Sequence, residues 1–482
     1  MNNVWRRTMQ ASSVVGIAGG LLFLAGHHPA DVAAQGGSIP LRGGVQQVHQ
    51  DQDAWPQLFA APSGEIFRVW SRLPINDREG GGAVLLASAP DGLAWRPLTQ
   101  LRPEGTGVST LDGRLAMNPS GEIALAYRWV RFNPKAKHIR VARSSDRGET
   151  WTFRSDNVDL NGQAFDPQVA WGPGKTMVVA WADERQQART FQIYLRRSPD
   201  GGSTWESELL MSGHTSAGDY HTAPRLLADG QGRFWLLWIA VRNRRAVLTL
   251  VRSEDAGRTW LPPQHISGDS YSVYGHSVTL AGSRLLVTWE DQKPDRPNRV
   301  YATASKDGGV TWSPASEADG LAVDAPTIAA GPSNALATSG EAWVAWHDSR
   351  NGRLDVFIAR SADGGVTWGS ALRLDADGPG TAISRYPKMA MSVNGSVAVV
   401  WEDDRRGFEA VYGRIFSGGR WNAESLLGQT LPPKKAGRAP RVIATRQDAF
   451  YVVWEIWDYT RGGAPMKSLD STLVRVPPAP GS

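Results

Sequence analysis

The sequence predicts an all-β chain assembled from one repeated unit, and three observations carry that prediction. The first is an octet of the form S-x-D-x-G-x-T-W. It stands at 144–151 (SSDRGETW), 198–205 (SPDGGSTW), 253–260 (SEDAGRTW), 305–312 (SKDGGVTW) and 361–368 (SADGGVTW). Worn copies end at Trp95 and Trp421, so the closing tryptophans recur every 52 to 56 residues. The second is a Pro or Gly placed 14 residues before an aromatic: Pro56 and Trp70, Gly113 and Tyr127, Pro167 and Trp181, Pro224 and Trp238, Gly275 and Trp289, Pro387 and Trp401, Pro440 and Trp454. Pro326 and Trp346 are assigned to the same pattern with a longer loop. The third is the absence of helical periodicity after residue 34. A fixed period of this length marks an array of one supersecondary unit.

Each unit reads as four strands. Two apolar runs flank a Gly-rich turn, as in Gln168 to Ala170 and Met177 to Trp181. A third run precedes the octet, as in Asp355 to Arg360, and a fourth follows it. The octet itself is a tight turn: Ser and Asp side chains bond nearby N–H groups, Gly accepts positive φ, and Trp folds back as an apolar plug. Four antiparallel strands per period of about 50 residues make a β-propeller blade. Eight units are counted in one propeller, with six or seven blades as the fallback. The last unit lacks an octet and a fourth strand. Residues 38–49 are therefore expected to close the ring by supplying its outer strand and covering an open edge.

Ahead of the repeats, residues 1–34 read as a secretory signal peptide. Arg6 and Arg7 form its basic start, Val14 to Gly26 its apolar core, and Val32-Ala33-Ala34 a small-residue cleavage site. The apolar run is short for a membrane span. Residues 35–476 form the propeller, and 477–482 a loose tail. The chain is 482 residues long with a formal net charge of +5 and scattered basic residues, which does not point to a nucleic acid. It has no Cys, so disulfides and thiolate metal sites are excluded. A secreted or periplasmic location follows, with no membrane span after cleavage.

Strand order separates the two faces. Inner strands begin on the top face, and the loop after each second strand returns there. The octets lie at the bottom. The top carries a recurrent W-x-D-x-R pattern at Trp181-Asp183-Arg185, Trp346-Asp348-Arg350 and Trp401-Asp403-Arg405, with Lys293 in the Arg place beside Asp291. Its recurrence argues for a structural ion pair. The residues that differ between units say more about function. Arg385 and Arg438 stand two places before the register Pro in units seven and eight. Arg72 ends the second strand of unit one, and Asp77 follows it. Units seven, eight and one are consecutive in a ring, so Arg72, Arg385 and Arg438 are expected to share a sector suited to a carboxylate or sulfate.

The octets resemble the Asp-box (BNR) repeats of the sialidase superfamily, over roughly residues 53–475. That resemblance implies a propeller acting on extracellular glycans with an exo-glycosidase chemistry. Its catalytic set is an arginine triad for the sugar carboxylate, an aspartate acid/base and a tyrosine nucleophile with a glutamate. Arg72 and Asp77 fit the second arginine and the acid/base in order and spacing. Arg385 and Arg438 would supply the other guanidiniums. Tyr386 and Tyr274 are the nucleophile candidates, with Glu402 or Glu455 as partners. Two features depart from that family. Ala54 stands where it has its first arginine, and it has six blades rather than eight. The partner expected is therefore an extracellular glycan or glycoconjugate. The alternative is a non-catalytic propeller that binds a protein or polysaccharide. No cofactor is implied. Asp375-Ala376-Asp377-Gly378 lacks the remaining ligands of a calcium loop and reads as an acidic turn. His221 and His276 lack a third zinc ligand.

Overall fold

The computed structural model describes residues 53–476, apart from 62, 74–80, 90–93, 102–106, 154–155, 188–189, 214–218, 323–325, 429–430, 446–448 and 461–464. No helix occurs among the described residues. The strands form eight antiparallel meanders, each ordered inner to outer in chain order. We number the blades 1 to 8, covering residues 53–101, 108–153, 164–210, 220–265, 273–317, 329–373, 384–426 and 435–475. Six have four strands, and blade 7 splits its outer strand into Arg420–Trp421 and Ser425–Leu426. Blade 8 shows three strands among the described residues. The signal segment 1–34, the expected closing strand 38–49, Asp77 and the tail 477–482 all lie outside the described residues.

The core is distributed over the seams between blades. Eight apolar clusters fill eight seams, each drawing on two neighbouring sheets. The seam that closes the ring packs Ala60, Ile66, Trp70 and Leu85 of blade 1 on Ile443, Tyr451, Val453 and Leu473 of blade 8. Each second strand contributes its aromatic, and Trp181, Trp238, Trp289, Trp346, Trp401 and Trp454 are fully buried. A buried Trp removes about 150–250 Å² from water, which is why the aromatic recurs in every unit.

A β-bulge interrupts every inner strand where the register Pro or Gly falls. Pro cannot donate to the ladder, so the chain steps around it. In six blades the residue before it then takes positive φ: Trp55, Asp112, Asp166, Ala223, Tyr386 and Ala439 have φ of 58°, 55°, 46°, 54°, 54° and 50°. In blade 6 the bulge lies between Ala330 and Ser333. The register residue there is Pro332, itself 14 residues before Trp346, and not Pro326. Blade 6 thus keeps the common spacing, with Gly331 (φ 64°) in the bulge.

The bulges also join the blades. The side chain after the blade aromatic accepts the bulge N–H of the next blade in five seams. Ser71 takes Asp112 N at 3.0 Å, Glu290 takes Gly331 N at 3.1 Å, and His347 Nδ1 takes Tyr386 N at 3.3 Å. Glu402 takes Ala439 N at 2.8 Å, and Glu455 takes Trp55 N at 2.8 Å. The last of these bonds spans the closing seam. Blades 8 and 1 therefore meet as the other blades do.

The octets lie at the far ends of the third strands, as the strand order requires. In blade 3, Ser198 Oγ donates to Asp200 Oδ1 at 2.8 Å and accepts Gly202 N at 2.6 Å. Asp200 then accepts Thr204 N at 2.8 Å and its hydroxyl at 2.7 Å. The same bonds recur in blades 2, 4, 5 and 6. The Ser, Asp and Thr side chains of the motif are engaged within the turn, which marks it as a structural device.

Candidate functional site

The W-x-D-x-R pattern is a staple. Trp346 Nε1 donates to Asp348 Oδ2 at 2.8 Å, and Arg350 Nη2 donates to the same oxygen at 2.6 Å. The guanidinium also covers Phe357 of the next strand at 4.0 Å. Trp181, Asp183 and Arg185 repeat the arrangement, with Arg185 over Tyr194 at 4.0 Å. Arg405 pairs with Asp403 and covers Tyr412 at 4.3 Å. Blade 5 departs from the expected pairing. Lys293 reaches Asp269 at 2.7 Å, while Asp291 accepts the N–H groups of Tyr271 and Ser272. A lysine is a point charge and lacks the planar fork with which arginine grips both carboxylate oxygens.

The same region explains the other weak signals. Asp355, Asp375 and Asp377 gather around Arg373, which pairs with Asp355 at 3.1 Å and Asp377 at 2.7 Å. Burial pushes the Asp375 carboxyl up to about 8, and its hydrogen bond with Asp377 adds to that. His221 Nδ1 accepts from Trp238 Nε1 at 3.0 Å. His276 is buried in the inner strand of blade 5. Burial, with a cation nearby, lowers both: His221 to about 4 beside Arg242, and His276 to about 3 beside Arg225.

The top face is uneven in height. Its hairpins extend well past the blade aromatic in blades 2, 4 and 8, pairing out to Phe132↔Lys135, Arg242↔Arg245 and Asp458↔Met466. In blades 5, 6 and 7 the second strand ends at Asp291, Asp348 and Asp403. The low side borders the sector expected to hold the arginines.

At the seam of blades 7 and 8 two of those arginines meet. Arg385 Nη2 lies 2.9 Å from Glu409 Oε1, and Arg438 Nη2 reaches the same oxygen. Arg385 Nε also pairs with Glu402 Oε2 at 3.3 Å. Glu402 uses its other oxygen for the bulge N–H of Ala439, so one carboxylate fixes both the seam and the guanidinium. Arg438 lies over the Trp457 ring at 4.9 Å, and Lys467 Nζ approaches that ring at 4.2 Å. Trp457 Nε1 in turn donates to Glu455 Oε2 at 2.7 Å.

Tyr386 occupies the bulge next to Arg385. Arg385 lies over its ring at 5.2 Å, and His347 meets it edge-on at 5.2 Å. Burial pushes its phenol up, Arg385 and Arg438 pull it down, and Glu402 and Glu290 push it up again. The phenol is thus within the electrostatic reach of both arginines and two carboxylates. Glu290 is itself pushed up by burial, against the N–H of Gly331 and the amide of Asn298.

The remaining expected residues are distributed as follows. Tyr274 lies on blade 5, two blades from Tyr386, and its hydroxyl donates to Gln292 at 3.2 Å. Arg72 ends the second strand of blade 1, opposite Asp53. Asp77 is outside the described residues. Glu409 was not singled out from sequence. It follows the loop after the blade 7 staple and has no counterpart in the repeat. Glu290, Glu402 and Glu455 share a visible signal, a Trp-Glu pair at the end of the second strand.

Fold and site together define a propeller with a repeated structural face and a non-repeating charged face. The profile of the BNR repeat-like domain matches residues 76–296. No curated protein matches the chain. Among solved structures, a GH93 α-L-arabinofuranosidase of Fusarium graminearum, solved with arabinobiose, aligns at 10% identity and TM-score 0.43, over 78% of this chain and 98% of its own. A polysaccharide lyase, an ulvan lyase, aligns at 10% identity and TM-score 0.47, over 82% and 98%. A Hadza microbial sialidase aligns at 14% identity and TM-score 0.36, over 93% and 99%. The described residues form a β-propeller of eight blades, and the chain carries a match to the BNR repeat-like domain over its first blades.

Proposed function

We propose that this chain is an exported, glycan-acting propeller that takes the anionic group of an extracellular glycan at the seam of blades 7 and 8. One observation carries the reading: guanidiniums from two neighbouring blades converge on a single carboxylate oxygen, beside a tyrosine held in a bulge. Two arginine forks aimed at one point suit a carboxylate or sulfate. The names of the similar structures, glycosidases and a polysaccharide lyase among them, agree in kind. The test is calorimetry with sialosides, uronic-acid oligosaccharides and sulfated glycans, each beside a neutral counterpart. Charge-assisted bonds contribute about 1.5–3 kcal/mol each. Arg438→Ala is therefore expected to weaken an anionic ligand roughly ten- to a hundredfold and to spare neutral sugars. Binding that ignores Arg438→Ala, or no binding of any anionic glycan, overturns the reading.

Hydrolysis is a second reading, favoured by Tyr386 lying against Arg385, with Glu402 and Arg438 within its electrostatic reach. In it Tyr386 is the nucleophile, Glu402 its base, Asp77 the acid/base, and Arg72 a further carboxylate ligand. Tyr386→Phe would then abolish sugar release and leave binding of the same glycan within a few-fold. A wild-type protein that binds but releases nothing is a binding propeller.

A further inference from the structure

We infer that the Glu409 carboxylate is a built-in occupant of the anion site, which a ligand must displace to bind. The inference rests on the reading that Arg385 and Arg438 receive the ligand's anion. Glu402 and Glu409 hold these arginines in different ways. Glu402 approaches Arg385 from the side, at Nε, and is fixed by the bulge N–H of Ala439. That is how a carboxylate positions a guanidinium. Glu409 instead takes the terminal Nη2 of both arginines on one oxygen. Those are the nitrogens that would meet an incoming carboxylate or sulfate. Arg438 Nε has no hydrogen-bond partner among the described residues, so Glu409 grips this side chain by its tip alone.

The local backbone allows the exchange. The Glu409 carbonyl accepts Gly437 N at 2.6 Å, which ties its main chain to blade 8. Its side chain is partly exposed, at 16% of its surface. A rotamer change of Glu409 can therefore vacate the arginines while blade and loop stay in place, on the fast timescale of side-chain flips. A ligand with a single weak anion would exchange one carboxylate for another with little gain. The device thus favours ligands that bring a stronger or doubly bonding oxyanion, or further contacts along the low side of the top face.

The experiment compares wild type, Glu409→Gln, Glu409→Asp, Arg438→Ala and Glu424→Gln by calorimetry at constant ionic strength. The probes are sodium sulfate, sodium glucuronate and sodium N-acetylneuraminate, with lactose as the neutral control. Tryptophan fluorescence verifies the fold of each variant, and Glu409→Asp gives a shorter carboxylate should the amide variant misfold. Glu409→Gln is expected to tighten at least one anion by roughly tenfold, because charge-assisted bonds no longer have to be displaced. Glu409→Asp is expected to tighten it less. Glu424→Gln removes a carboxylate that pairs with Arg405 on the same blade and is expected to change nothing. Wild-type binding that depends on Arg438 but weakens, or does not change, in Glu409→Gln would make Glu409 a positioning group and overturn the inference. Equal tightening in Glu424→Gln would reduce the effect to net charge and overturn it as well. If neither wild type nor Glu409→Gln binds any probe, the anion-site reading itself fails.

Discussion

The bottom and top faces of this ring are built from the same eight units under opposite rules. At the bottom, five octets repeat the same bonds with the same atoms, and each closes on itself. On the top, the residue two places before the register Pro or Gly is Ala54, Leu111, Phe165, Thr222, Val273, Ala330, Arg385 or Arg438. Only two are charged, they are neighbours, and they meet. A feature that recurs in every blade reports what the blade needs to fold. A feature confined to one seam reports what that seam does. The bulge serves both ends: it recurs, yet it re-aims a different side chain in each blade.

The sharpest way to break this contrast is to damage the bottom and watch the top. Gly365 has φ 97°, and a Cβ there would lie 2.4 Å from Leu286 Cδ1. Gly365→Val combines backbone strain of about 1–3 kcal/mol with overpacking of similar size. The denaturant midpoint should fall accordingly, while anion affinity in the folded protein should stay within twofold. A folded variant that loses binding outright would place the octets near the site.

A smaller effect is expected at the closing seam. Glu455 is buried and accepts both Trp55 N and Trp457 Nε1. Glu455→Ala leaves two donors without this acceptor, at about 1–3 kcal/mol. It should also loosen Trp457 beneath Arg438, so binding should weaken several-fold along with stability. Stability loss with unchanged binding would uncouple the seam from the site.

The smallest effects separate the faces by pH. Asp307 of an octet is held at about 2, chiefly by the Thr311 hydroxyl and N–H. An unfolded Asp titrates near 3.9. The octet contribution is thus present above about pH 4 and is lost as pH falls toward 2. His221 and His276 are lowered to about 4 and about 3 by burial, against about 6.5 unfolded. Both contribute stability above about pH 6.5 that drains away as pH falls toward their folded values, because the unfolded chain binds the proton first. Urea midpoints against pH should lose part of their acid limb between about 6.5 and 3 in His276→Phe. In Asp307→Asn the limb between about 4 and 2 should flatten instead. Identical profiles for the two variants would contradict the assignment.

Much of this was legible in the chain. The octets and the Pro-to-Trp spacing determine the blade, its strand order, the count of eight and the face on which each motif lies, because each rests on contacts within one unit. Arg385 and Arg438 could be assigned to one sector by counting blades. In blade 6 the loop before the inner strand offers a second Pro, Pro326, yet the common 14-residue spacing and the pairing with Ala342–Asp348 both single out Pro332. The tertiary structure alone decided what the arginines touch. Glu409 and Glu402 reach them from a loop and from a neighbouring strand, at sequence separations of 17 to 29 residues. No local propensity records such a contact. Arg385 and Glu402 are cross-strand partners within blade 7, whereas the contact of Arg438 with Glu409 exists because seam packing sets two blades at a fixed distance. Local periodicity could therefore write the scaffold, and the meeting of unlike side chains had to wait for the ring to close.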